Sequence, residues 1–352
     1  MKRIFLIIAG VFAVLAIIGG VVLYNVFLGR NEFAGQNDKT FLVSRGQTFA
    51  SIVDSLEAQG IIRNRELFVF VAKTMGGTNR IQIGKYSFGS GISNMDLFYN
   101  LREGKYLTLI SITIPEGYRA RAQARIFARS IGIDSTRYVQ LVHDQAFIHS
   151  LGIDARSLEG YLMPETYSFY WQQEETDVIK AMVEEFRRFY TDALKARADS
   201  LGWTTNQVLT FASIVEGEAV IPAERPIIAG VYHNRLRKGM KLEADPTIQY
   251  MFENGPRRVL YSDLKSDNPY NTYRIKGLPP GPVNNPGKAS ILAALYPARN
   301  KYLFFVADGQ GGHRFATNYA EHLRYVQMYR RQRSAQSRPA VGADKGRGPG
   351  VQ

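Results

Sequence analysis

The longest apolar run in the chain comes first. Residues 4–24 are 21 in number and carry no charge. At about 1.5 Å per residue they match a bilayer core of about 30 Å. Lys2 and Arg3 precede the run and no small-x-small site ends it. The pattern therefore predicts an uncleaved signal-anchor helix over 1–28 rather than a cleaved leader, whose apolar stretch is about 7–15 residues. The leading cations imply a cytoplasmic N-terminus and an exported remainder. Residues 29–40 are polar and glycine-containing and read as a linker. Beyond it the apolar spacing shortens. Phe49, Ile52, Val53 and Leu56 predict a helix over 48–59, with Gly60 closing it. Asn64 caps a helix over 66–75, which stops at Gly76-Gly77, and Ser93 caps another over 94–103, which stops at Gly104. Strands are expected over 84–88 and 107–114.

The pattern is mostly helical from residue 116. Helices are expected over 119–130, 136–149, 177–198 and 206–218. Gly/Pro-rich loops follow from Thr272, then a hairpin with strands 302–307 and 313–317 about a glycine turn. Residues 331–352 hold Arg, Ser, Pro and Gly with little that is apolar, and are expected to be a disordered basic tail. The fold class is α+β. It comprises a single N-terminal transmembrane helix, a small α/β subdomain at 41–115 and a mixed α+β domain at 116–330.

Composition narrows the chemistry. A chain of 352 residues, 45% hydrophobic and 21% charged, is neither disordered throughout nor fibrous. It has no cysteine, which excludes disulfides, a thiolate zinc site and a cysteine nucleophile, and suits an exported protein. The net charge of +13 would suit nucleic acid, an anionic membrane or an acidic polymer. Its placement decides among them. Residues 1–30 contribute +3 and residues 324–352 contribute +6, which leaves +4 for residues 31–323. The folded part is only mildly cationic, and no aromatic-plus-basic RNA signature is present, so no nucleic-acid partner is expected. The tail is expected to dock on anionic lipid or wall polymer through screened charge.

Common catalytic motifs are missing: no Walker A loop, G-x-G-x-x-G, H-E-x-x-H or G-x-S-x-G occurs. His143, His149, His233, His313 and His322 form no ligand-spaced set, so no metal and no cofactor are expected. Ser262-Asp263-Leu264-Lys265 and Ser266-Asp267-Asn268 imitate penicillin-binding motifs, but they are adjacent and no K-T-G follows. The stretch Phe211-Ala212-Ser213-Ile214-Val215-Glu216-Gly217-Glu218 is more informative. On a helix, Val208, Phe211, Val215 and Glu218 share one stripe, while Glu216 points elsewhere. A carboxyl against apolar surface keeps its proton to higher pH and suits a general acid. A solvated or salt-bridged Glu at a fraying helix end has the same pattern. Ala244-Asp245-Pro246-Thr247-Ile248-Gln249 and Asn271-Thr272-Tyr273, with Asn285-Pro286-Gly287, offer polar groups on stiff loops, as a sugar cleft would. A structural loop has the same composition.

Taken together these stretches resemble the endolytic murein transglycosylase family, also called YceG-like. The resemblance is carried in order by Leu158-Glu159-Gly160-Tyr161 through Pro164-Glu165-Thr166-Tyr167, Ala212-Ser213-Ile214-Val215-Glu216-Gly217-Glu218, Ala244-Asp245-Pro246-Thr247 and Tyr270-Asn271-Thr272-Tyr273. It continues through Gly277-Leu278-Pro279-Pro280, Asn285-Pro286-Gly287, Tyr302-Leu303-Phe304-Phe305 and Gly312-His313-Arg314-Phe315. It implies endolytic cleavage of the MurNAc-β-1,4-GlcNAc bond in nascent peptidoglycan. The product is a 1,6-anhydro end, with Glu218 as acid and then base. Glu216, Glu165, Asp245, Thr247, Gln249, Asn271, Tyr273, Asn285 and His313 are then substrate-binding or orienting candidates. The resemblance also implies a LysM-like, glycan-binding subdomain at 41–115, an opening for which is Val43-Ser44-Arg45-Gly46-Gln47. It implies peptidoglycan synthases as partners and a place in the bacterial inner membrane with the catalytic domain outside the cytoplasm. The alternative is a non-catalytic peptidoglycan-binding or scaffold protein of the wall-synthesis machinery. Two departures stand out. Glu165 replaces a frequent Asp, and Gly217 replaces a longer residue, which is expected to loosen the helix beside Glu218.

Overall fold

A computed structural model describes residues 2–33, 38–252, 255 and 257–336. In chain order the helices and strands begin with α1 (Lys2–Leu28), β1 (Arg30–Asn31), β2 (Lys39–Val43), α2 (Phe49–Ala58), α3 (Arg65–Met75), β3 (Gly84–Phe88), β4 (Ile92–Ser93), α4 (Asn94–Glu103) and β5 (Ile110–Thr113). They continue with α5 (Ala120–Ile131), α6 (Ser135–His143), α7 (Gln145–Ser150), β6 (Thr166–Phe169), α8 (Glu175–Phe189), α9 (Asp192–Ser200) and α10 (Thr205–Glu218). The last are α11 (Arg225–Arg237), α12 (Asp245–Tyr250), α13 (Lys288–Leu295), β7 (Phe304–Ala307), β8 (His313–Ala316) and α14 (Tyr319–Gln336). The fold is thus mixed helix and sheet with one N-terminal apolar helix, α1, long enough to cross a membrane. Two compact units divide the chain: unit 1 holds residues 1–112, 125–135 and 166–178, and unit 2 holds 113–124, 136–165 and 179–352.

Unit 1 forms where its caps and apolar spacing require. Thr48, Asn64 and Ser93 each accept a backbone N–H at the start of α2, α3 and α4, which satisfies a donor the helix cannot. Gly104 ends α4 at φ 69°, a left-handed conformation that glycine adopts without cost. β2 and β3 pair antiparallel with Phe41 opposite Tyr86. Their inner residues and the apolar faces of the helices close a core of Phe41, Val53, Leu56, Phe68, Tyr86, Phe88 and Phe98. Full burial of each such side chain contributes about 1.5–3 kcal/mol.

Several expected elements differ. The linker expected over 29–40 contains β1, which pairs with β4, and the start of β2. The strand expected over 107–114 is confined to β5. The helix expected over 136–149 is two, because Asp144 turns extended and caps α7 through Phe147 N. The helix expected over 177–198 breaks into α8 and α9 at Thr191, which is also extended. Periodicity alone cannot register such breaks, since the apolar stripe resumes in phase. Of the expected tail, residues 331–336 continue α14, and 337–352 lie outside the described residues.

Unit 2 is organised around α10. Thr204 and Gln207 form a reciprocal capping box at its start. Every residue from Val208 to Val215 is buried, and α10 packs on α11, α12 and α13. Its one buried serine, Ser213, accepts Val283 N at 2.9 Å and donates to Thr210 O at 2.8 Å. The Gly/Pro-rich loop is thereby fixed to the helix that ends at Glu218.

Candidate active site

Glu218 is the last residue of α10, one turn past Val215 on the buried stripe, and its side chain is half-buried. Its Oε1 accepts a hydrogen bond of 3.0 Å from Tyr232 Oη on α11. Burial pushes the carboxyl up to about 7. The Tyr232 bond opposes that shift, the negative charge of Asp245 adds to it, and a backbone hydrogen bond at Asp245 and the Arg235 guanidinium oppose it. Tyr232 is 2% exposed, and burial followed by the Glu218 charge pushes its hydroxyl well up, so it remains a donor at neutral pH.

A close approach of two helices brings Asp245 here. A Cβ built on Gly217 would lie 2.6 Å from Pro246 Cβ and Cγ. The helix runs through Gly217 rather than loosening there, and the missing side chain admits the start of α12. Asp245 Oδ1 accepts 2.6 Å from Tyr273 Oη. Burial and then this bond push the Tyr273 hydroxyl up. Glu243, two residues before Asp245, sits at φ 51°, which costs about 1–3 kcal/mol in a residue with a side chain. It is held there by Arg235 Nη1 at 3.1 Å and by its own N–H to Thr272 O at 3.2 Å. Thr272 Oγ1 accepts Ala244 N at 3.0 Å and meets Thr247 Oγ1 at 2.9 Å. Those bonds zip the two loops together beneath Asp245.

Glu216 belongs to a different cluster. Its Oε1 lies 3.2 Å from Arg225 Nη2 and its Oε2 accepts Gly287 N at 3.1 Å. Arg225 also reaches Glu116 Oε2 at 3.4 Å and Ser290 Oγ at 3.0 Å. Glu165 pairs with Lys288, which lies 3.6 Å from Glu185. Gly287 admits the Glu116 carboxyl, since a Cβ there would fall 1.8 Å from Glu116 Oε1. This ionic cluster fixes the start of α13 against α10.

The other expected residues serve the loops. Asn285 is wholly buried: Oδ1 accepts Gly160 N at 2.7 Å and Leu162 N at 3.2 Å, and Nδ2 donates to Tyr118 O at 2.9 Å and Glu159 Oε1 at 2.7 Å. Asn271 donates to Leu264 O and Ser266 O, and Gln249 ties α12 to Arg257. His313 Nδ1 lies 2.7 Å from Glu224 Oε2, and its ring meets Phe305, which in turn meets Tyr232. Glu159 is a second carboxyl that burial pushes up to about 7. It is 4% exposed and already accepts Ala120 N and Asn285 Nδ2, so a substrate could not reach it as it could Glu218.

Of the residues the sequence singles out, the structure brings Asp245, bonded to Tyr273, beside Glu218; Tyr232 and Arg235, which also act on Glu218, were not among them. Their signal was available. Ile228, Val231, Tyr232 and Arg235 recur at helical spacing, and an arginine on a buried stripe of that kind marks a polar network. Among the described residues no group of three or more His, Asp or Glu side chains converges as metal ligands.

A sequence profile of the YceG-like family matches residues 41–328. A Bacillus subtilis protein named endolytic murein transglycosylase is 31% identical over 331 residues, covering 89% of this chain and 91% of the relative. A Streptococcus pneumoniae protein of the same name is 29% identical over 353 residues, covering 90% of this chain and 63% of the longer relative. The crystal structure of a YceG-like protein from Listeria monocytogenes aligns with a TM-score of 0.59 at 29% identity, over 82% of this chain and 99% of that one.

Proposed function

Because the chain belongs to the YceG-like family, we propose that it is an endolytic murein transglycosylase whose working carboxyl is Glu218. The observation that carries this reading is a half-buried carboxyl, pushed up to about 7, at the end of a rigid helix. A group titrating there holds a proton on much of the enzyme at neutral pH and also gives it up readily. Protonated Glu218 donates to the glycosidic oxygen as the C1–O bond after N-acetylmuramic acid breaks. The carboxylate so formed takes the proton of the muramic C6 hydroxyl as O6 bonds to C1. Glu218 ends as it began, and the strand ends in a 1,6-anhydro sugar. The attacking oxygen belongs to the substrate, so no second carboxylate at nucleophile distance is needed. The Tyr232 hydroxyl and the Asp245 backbone would stabilise the transient carboxylate.

In this reading α1 anchors the protein in the cytoplasmic membrane, the remainder lies outside the cytoplasm, and wall synthases that make the nascent strand are partners. The LysM-like reading of 41–115 finds support in a cavity of about 780 Å³ whose lining includes Tyr99, Tyr106, Ser87 and Thr108, which offers rings and hydroxyls to a sugar. The test uses the full chain in detergent with intact glycan strands. Release of 1,6-anhydro muropeptides is expected, and Glu218→Gln should release none. Ordinary reducing ends would make the protein a hydrolase, and full activity in Glu218→Gln would overturn the assignment of the acid.

A further inference from the structure

The end of α1 is built into unit 1 rather than joined to it by free chain. Asn94 Nδ2 donates to Val26 O at 3.1 Å. Asn94 Oδ1 accepts Asn31 Nδ2 at 2.9 Å, and Asn31 Oδ1 accepts Arg63 N at 3.3 Å. Asn31 and Asn94 are 4% and 8% exposed, so this polar clamp is buried and its bonds are costly to lose. β1 follows directly and pairs with β4. The Phe27 ring meets the Phe70 ring of α3 edge to face at 6.1 Å.

Depth follows from length. The 27 residues of α1 are about 40 Å long at about 1.5 Å per residue, more than the core of about 30 Å. The unbroken apolar run ends at Tyr24, before the polar Asn25, so Asn25 to Leu28 occupy the headgroup layer, and Phe70, against Phe27, lies at their depth. Leu67 and Phe70 are one turn apart on the outer side of α3 and are 41% and 51% exposed. Exposed Lys73 lies one turn further and exposed Arg30 lies two residues past the end of α1; Glu66 is the acidic residue on the same face. Aromatic and apolar side chains with flanking cations are what the interfacial layer stabilises.

We propose that the outer face of α3, centred on Leu67 and Phe70, lies in the interfacial layer of the lipid bilayer, so that unit 1 meets the membrane directly. The inference rests on α1 spanning that membrane, and the experiment separates the two. The chain has no cysteine, so a single introduced one takes a nitroxide label uniquely. Leu67→Cys, Phe70→Cys, Val14→Cys and Tyr261→Cys are labelled separately in the full chain. Each is reconstituted in vesicles of phosphatidylcholine and phosphatidylglycerol. Collision with oxygen and with a water-soluble nickel chelate is then read at each site. Tyr261 is 86% exposed and sets the aqueous baseline. The labels at 67 and 70 are expected to be shielded from nickel several-fold relative to 261 and to lie between it and the label at 14. Nickel access at 67 and 70 equal to that at 261, with the label at 14 shielded, overturns the inference alone. Nickel access at 14 overturns the anchor reading beneath it. The substitution at Leu67 leaves the Phe27–Phe70 contact intact, so the test does not depend on Phe70→Cys folding.

Discussion

Unit 1 and unit 2 bury polar side chains for different purposes. In unit 1, Ser93 caps a helix through a neighbour three residues away, and Asn31 and Asn94 fasten the end of α1. Both units bury polar side chains that join segments far apart in the chain, but in unit 1 such bonds, across 63 and 68 residues, fasten α1, whereas in unit 2 they fasten loops. Asn285 reaches Gly160 across 125 residues, Ser213 reaches Val283 across 70, and Arg235 reaches Leu303 across 68. Short-range caps specify where elements begin and end. The long-range bonds of unit 2 hold loops against its helices, and in the proposed reading of Glu218 that fixed frame keeps Tyr232 of α11 and Asp245 of α12 beside it before substrate arrives. Electrostatic help that is preorganised costs nothing at the moment of reaction, and a buried network that is only partly satisfied would forfeit it.

The sharpest way to break this contrast is Asn285→Ala. It would strand the Gly160 and Leu162 N–H groups, remove a donor from Glu159, and leave the Tyr118 carbonyl with only the backbone N–H of residue 285 at 3.2 Å. Breaking a buried network that includes a carboxyl costs about 3–5 kcal/mol. Hydrogen exchange should show amides around 158–162 opening far more readily, and turnover should fall with them. Protection unchanged from the parent would mean that the loop is held by packing instead.

Tyr232→Phe sharpens the functional side and is expected to be milder. The lost hydrogen bond favours the Glu218 carboxylate, so its removal raises the pKa of a group already near 7. If Glu218 must be protonated to begin, activity in the parent falls as pH rises through about 7, and in the variant that fall moves to higher pH. Loss of positioning should lower kcat about tenfold, or about 1.4 kcal/mol. A pH profile that falls at lower pH in the variant would contradict the direction of this coupling.

How much of this was legible in the sequence follows the same division. The caps at Asn64 and Ser93, the stop at Gly104 and β3 were read with little error because each signal lies within a few residues of its effect. Glu218 was singled out by the stripe it shares with Val208, Phe211 and Val215 together with the resemblance to the transglycosylase family, since the stripe alone fits a salt-bridged helix end equally well. Tyr232 was not: its spacing with Ile228, Val231 and Arg235 marks a buried stripe, but that the stripe faces Glu218 depends on α11 lying beside α10, and helix pairing leaves no local mark. Gly217 read as a weakness for the same reason: Pro246 is 29 positions away in sequence and in contact in space. Thr247, Asn271 and Asn285 read as sugar ligands because polar residues on stiff loops look alike whether they face a cleft or, as here, are wholly buried.

Ser93→Ala is the smallest change and the one that tests whether the division of labour holds. Ser93 Oγ accepts Asp96 N at 3.0 Å and donates to Asp96 Oδ2 at 2.7 Å. Without it the first turn of α4 loses a cap, at about 1 kcal/mol. The same residue lies in β4, opposite Arg30, so the loss falls on the part of unit 1 that receives α1. Differential hydrogen exchange should show the amides of the first turn of α4 and of β1 opening more readily. Turnover on glycan strands should stay at the parent value, because none of the bonds around Glu218 passes through Ser93. If Ser93→Ala slowed turnover as far as Tyr232→Phe does, local capping in unit 1 would be setting the chemistry in unit 2, and preorganisation by long-range bonds would no longer account for the site.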